Sequence, residues 1–98
     1  MNFVDEWRHF GRPSGIAIPK DDTLIVSDSE SNRTIPGMDG NVLRNPGWKN
    51  GIRIGSAKDG SLKYFIDGTD PEGLAADELG NIFAGLTSHP ILQKWVKK

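Results

Sequence analysis

Apolar residues occur along this chain in short runs, such as Leu24-Ile25-Val26, Tyr64-Phe65-Ile66 and Ile82-Phe83-Ala84, bounded by Gly, Asp, Asn or Pro. The spacing of an amphipathic helix is nearly absent. Short apolar runs between turn formers predict short strands. These fall at residues 3–9, 15–18, 23–27, 51–55, 62–66, 73–76, 82–85 and 91–96. Lys20-Asp21-Asp22 and Glu78-Leu79-Gly80 read as matching turns, and Lys58-Asp59-Gly60-Ser61 as a hairpin turn in which Gly60 supplies a positive φ. Residues 32–50 are rich in Gly and Pro and read as a long loop without secondary structure of its own, a kind that is usually functional or disordered.

The pattern repeats itself at a displacement of 58 positions. Pro13-Ser14-Gly15-Ile16-Ala17 returns as Pro71-Glu72-Gly73-Leu74-Ala75, Leu24-Ile25 as Ile82-Phe83, and Val4 and Trp7 as Leu62 and Phe65. One ungapped register joins all three matches. A repeat of this length is one supersecondary unit that cannot bury its apolar face alone. The copies differ in the next connection: 32–50 in the first, and only Thr87-Ser88-His89-Pro90 in the second.

Length and charge narrow the field. The chain has 98 residues, enough for a single domain (1–98) with a small core. Twelve basic against thirteen acidic residues give a net charge of −1, which offers no electrostatic footprint for nucleic acid or an anionic membrane. There is no cysteine, hence no disulfide and no thiolate metal site. No apolar run approaches the roughly 18 residues of a membrane span. The acidic start Met1-Asn2-Phe3-Val4-Asp5-Glu6 does not read as a signal peptide, so a cytoplasmic location is the default expectation.

The Pro-x-Gly-[Ile/Leu]-Ala element, followed by a turn and then Leu-Ile-Val-Ser-Asp or Ile-Phe-Ala-Gly-Leu, resembles the NHL repeat. Pro46-Gly47-Trp48-Lys49-Asn50-Gly51-Ile52-Arg53-Ile54-Gly55 is similar to a segment of the related gluconolactonase-like and peptidyl-hydroxyglycine-lyase-like propellers. The resemblance covers almost the whole chain. It implies an all-β fold of four-stranded blades, six of which surround a central channel. With blade strands labelled a to d from the channel outwards, the chain reads d-abcd-abc. Residues 3–9 are then a spare outer strand, 13–67 a complete blade carrying the 32–50 loop, and 71–98 a blade lacking its own d strand. A head-to-tail contact in which 3–9 completes the neighbour's blade closes as a homotrimer with six blades.

The resemblance implies two functional readings. One is a binding module whose polar upper face and channel take a small molecule or peptide. The other is a metal-dependent lactonase-like hydrolase or a lyase; a propeller fragment without selected activity is a third possibility, and the sequence does not decide whether the chain is an enzyme. The long loop marks one face as the functional one. Arg12, Ser14, Asp28, Asn32, Trp48 and His89 are its candidate ligand-binding residues. Glu72 occupies the slot that holds a metal-binding residue in the resembled lactonases, and three copies would bring three carboxylates to the axis, where calcium or magnesium suits oxygen ligands. Glu72 reads equally as a turn cap or a partner of Arg12. His89 is a channel ligand or a solvated loop residue. Asp28-Ser29-Glu30-Ser31-Asn32-Arg33 lines a pocket or satisfies turn backbone, as such side chains commonly do. Trp48, in the long loop, is the one aromatic read as a pocket wall.

Overall fold

The computed structural model describes residues 1–37, 40–43, 45–86 and 88–98, with backbone alone for Ile35 and Asn41. Thr87 and three residues of the long connection (38, 39 and 44) lie outside the described residues. The architecture is all-β. Its strands are β1 Pro13–Ala17, β2 Thr23–Asp28, β3 Thr34–Gly37, β4 Gly40–Leu43, β5 Gly51–Ser56, β6 Leu62–Asp67, β7 Pro71–Ala76, β8 Ile82–Leu86 and β9 Ile91–Trp95. A four-stranded antiparallel sheet has the order β1-β2-β5-β6, and a three-stranded one the order β7-β8-β9. Both are antiparallel meanders in which each strand pairs with the next strand of its own sheet, and the β2–β5 connection carries the separate β3–β4 hairpin. Among the described residues, no helix is long and apolar enough to cross a membrane.

The repeat is visible in the ladders. Ser14 is an extra residue between the pairs Pro13–Asp28 and Gly15–Ser27, and Glu72 is one between Pro71–Leu86 and Gly73–Gly85. Both are β-bulges at the same place in the repeat. The two sheets pack face to face. Ile25 and Ile52 of the first meet Ile82 and Ala84 of the second, with Ala17, Ile54, Ile66, Leu74, Ala76 and Trp95 around them. The alternation of each strand explains this: Ile25 points to the seam, so Leu24 and Val26 point the other way. Those two form a second cluster with Phe10, flanked by Trp7 and Ala57.

One sequence expectation, for residues 3–9, turns on a second copy of the chain, and another needs correction. Residues 3–9 join no sheet. They run across the outward face of the first sheet, where the Trp7 ring rests on the site a Gly60 side chain would need and a His9 ring nitrogen meets the Gly60 carbonyl. Gly60 is therefore required twice, for its φ of 74° and for the ring above it. A strand exists only with a partner edge, and the edge expected for 3–9 belongs to a second copy of the chain. The long connection, in turn, is not devoid of secondary structure: β3 and β4 form a hairpin, with Thr34 opposite Leu43 and Gly37 opposite Gly40. Its Gly and Pro content suggested a bare loop, but its two short strands pair, and Gly40 at the start of β4 takes a φ of 107° that suits glycine.

Candidate functional site

The two bulges create the site. A bulge re-aims the side chain of its extra residue, and here both extra side chains meet at the seam between the sheets. The Ser14 and Ser29 hydroxyls lie 3.0 Å apart. Ser29 Oγ donates to Glu72 Oε2 at 2.9 Å. Ser27 Oγ adds a bond to the Glu72 carbonyl at 3.3 Å. A chain of hydroxyls thus fastens the first sheet to the second at one end, and the Glu72 residue remains exposed.

At the same end, on the outward face of the first sheet, lies a buried ion pair. Asp28 is fully enclosed, and Arg53 is 5% exposed. Arg53 Nη1 stands 3.3 Å from Asp28 Oδ2, and Nη2 donates to the Lys49 carbonyl at 2.8 Å. Asp28 also accepts from three backbone amides: Arg12 at 3.1 Å, Glu30 at 3.0 Å and Ser31 at 2.8 Å. The guanidinium carbon lies 5.1 Å from the Trp48 ring centre and 4.6 Å from that of Phe65, within the range of cation–π attraction. Burial lowers the Arg53 pKa, and the Asp28 charge and hydrogen bond oppose that shift. A side chain on Gly11, whose φ is 77°, would collide with both members of the pair, so the chain entering β1 can pass there only as glycine.

A second polar network joins the connections after β2, between β6 and β7, and between β8 and β9. Arg33 Nη2 bonds Asp70 Oδ2 at 2.6 Å, Ser88 Oγ reaches the same oxygen at 3.1 Å, and the Ser88 hydroxyl lies 3.2 Å from His89 Nδ1.

The candidates of the sequence therefore divide. Ser14 and Glu72 come together through Ser29. Arg12 gives its amide to Asp28 and leaves its side chain in an exposed position beside a shallow cleft formed with Gly11, Pro13 and Glu30. Asp28 is an internal anchor whose oxygens are engaged by the chain itself. Trp48 is half-buried against Arg53 and serves as one plate of its clamp. Asn32 sits exposed in a turn at a φ of 60°, a conformation asparagine tolerates. His89 is exposed and belongs to the second network.

The sequence placed Ser29 in a polar run without showing that it links the sheets, and Arg53 was missed. The signal for Arg53 was present: it is the one charged residue inside the apolar strand Gly51-Ile52-Arg53-Ile54-Gly55. A charge in such a strand needs a buried partner.

No group of three His, Asp or Glu residues that could hold a metal occurs among the described residues. Glu72 with two serine hydroxyls falls short of the roughly six to eight oxygens calcium takes. A cation there would need further oxygens, from water or from another chain. A cavity of about 650 Å³ lies elsewhere: it opens at the end of the seam bearing the turns Lys20–Asp22 and 77–81. No protein-family model, curated protein or solved structure matches this chain.

Proposed function

We propose that the two sheets are adjacent blades of a six-bladed ring of the NHL-repeat kind, closed by three copies of the chain, and that the end carrying Arg12, Ser14 and Glu72 is a binding platform. The observation that carries this reading is the pair of equivalent bulges. They bring polar side chains of both sheets to one end of the seam, held there by hydrogen bonds between the sheets, and a preorganised arrangement of that kind suits recognition. The exposed groups are a guanidinium and a carboxylate, with the half-buried Ser14 hydroxyl beside them. That set fits a small zwitterionic ligand such as a short peptide, with its carboxylate on Arg12 and its amine on Glu72. Ser29 Oγ is hydrogen-bonded to a carboxylate but is almost fully buried, which argues for a positioning role over nucleophilic chemistry.

The test is amide chemical-shift mapping of the labelled protein against a set of di- and tripeptides. Shifts concentrated on residues 11–15, 29 and 72 support the platform, as does a binding loss of about tenfold in Arg12→Ala or Glu72→Gln, equivalent to about 1.4 kcal/mol. Binding elsewhere, binding indifferent to both substitutions, or no binding across the set refutes it.

A further inference from the structure

The outward edge of β9 pairs with no strand among the described residues. Beside it lies the 650 Å³ cavity, walled by Ile54, Tyr64 and Ile66 of the first sheet and by Ile82 and Trp95 of the second. In the first sheet the corresponding edge, that of β5, is covered by β6. The cavity thus lies beside the position of a missing fourth strand. An open strand edge next to an apolar trough accepts an extended segment by adding it to the sheet.

We infer that this slot takes residues 3–9 of a second copy of the chain. The inference rests on the blade reading above and names the contact that joins one copy to the next. Its register follows from the repeat. Glu6 and Trp7 are the equivalents of Tyr64 and Phe65 at the displacement of 58. The ladders Ile25–Ile54 and Phe83–Lys94 make Lys94 the equivalent of Ile54, and the same reasoning makes Trp95 the equivalent of Gly55. In the first sheet Ile54 stands opposite Tyr64, Arg53 opposite Phe65, and Gly55 opposite Leu62. Transferred to the slot, these pairs become Lys94 with Glu6, Gln93 with Trp7, and Trp95 with Val4. Opposite charges meet and apolar residues meet, which is what cross-strand pairing favours. The wider charge agrees: Lys20, Lys63, Lys97 and Lys98 outnumber Asp21 and Glu78 around the cavity, whereas the segment brings Asp5 and Glu6 against Arg8. Pairing moves Trp7 from its seat on Gly60 into the cavity.

The outward faces of the two sheets point to the same partner. Ile16 and Ile18, 60% and 58% exposed, are the equivalents of Leu74 and Ala76, which pack in the internal seam. Leu92, 73% exposed, is the equivalent of the fully buried Ile52. Phe83 is the equivalent of the buried Ile25. The face that one copy leaves open is therefore a version of the face its neighbour needs, and the joint between copies repeats the joint within the chain.

The chain has no cysteine, so engineered thiols report without background. Glu6→Cys and Lys94→Cys are made in separate chains, both at exposed positions that leave the core untouched. The two variants are mixed and mildly oxidised, and the disulfide peptides are identified by mass spectrometry. The expected product is a bond between position 6 of one chain and position 94 of the other. The chain carrying both substitutions should then give a covalent species of three times the chain mass. Only 6–6 or 94–94 bonds, a bond within one chain, or no disulfide overturns the slot. A trimer by light scattering without the 6–94 bond overturns the slot and leaves the blade reading standing. A monomer that still binds peptides at Arg12 and Glu72 overturns the slot and leaves the platform standing.

Discussion

Replacing Asp28 by alanine removes the anchor on which the polar end rests. The carboxylate is fully enclosed, neutralises Arg53, and accepts from three backbone amides. Its loss leaves a guanidinium in a site with little access to water and three donors with no acceptor. Cutting a buried pair from one side costs about 3–5 kcal/mol, because the remaining charge is uncompensated. The cation–π plates of Trp48 and Phe65 keep part of the stabilisation of Arg53, worth about 0.5–2 kcal/mol, which points to the middle of that range. A chain of this size has a total stability of roughly 5–15 kcal/mol, so Asp28→Ala approaches the threshold of folding. Urea unfolding at fixed protein concentration measures it. With a slope of about 2 kcal/mol per M, a loss of about 4 kcal/mol lowers the midpoint by about 2 M. Asp28→Asn keeps an acceptor for the Glu30 and Ser31 amides and should cost less. Arg53→Met joined to Asp28→Asn should cost less than the sum of the two single changes, by about 0.5–3 kcal/mol. A loss below about 1 kcal/mol in Asp28→Ala, or additivity within about 0.5 kcal/mol in the double variant, refutes the account of a coupled buried pair.

The cation reading of Glu72 makes a separate claim. Calcium or magnesium should raise the melting temperature of the assembled protein, chelator should reverse the effect, and Glu72→Gln should abolish it, because a ligand that binds only the folded form stabilises by mass action; melting indifferent to both metals in the native chain removes the axial cation. Acid sensitivity should include the turn between β7 and β8. There the Asp77 pKa is lowered, first by the Asn81 side chain and then by the backbone amides of Asn81 and Leu79. A lowered carboxylate pKa contributes stability that is complete above the unfolded value and is lost as pH falls through the folded value. The melting difference between the native chain and Asp77→Asn should shrink on that acid limb, and a difference constant with pH would rule the linkage out.

The repeat made the two meanders legible, because Pro-x-Gly followed by an apolar run encodes a strand entry and a period that both copies share. It did not reveal what the middle residue of that element does. Ser14 and Glu72 read as loop residues with separate roles, whereas the bulge turns both onto Ser29, whose own position is set by the strand that ends at Asp28. Bulges follow from the local mismatch of two paired strands, and one strand's sequence does not contain that mismatch. Arg53 was hidden for a related reason: its partner is 25 residues away, and only the register of β2 on β5, with Val26 opposite Arg53, brings Asp28 within reach. The segment 3–9 is the complementary case. Its residues have strand character, but a strand is a relation between two edges, and the edge that matches its register by repeat is β9, on the far side of the other sheet. Alternation along a chain specifies which side chains share a face. It leaves open which edge that strand will meet, and in this fold the polar end and the open edge both depend on that second piece of information.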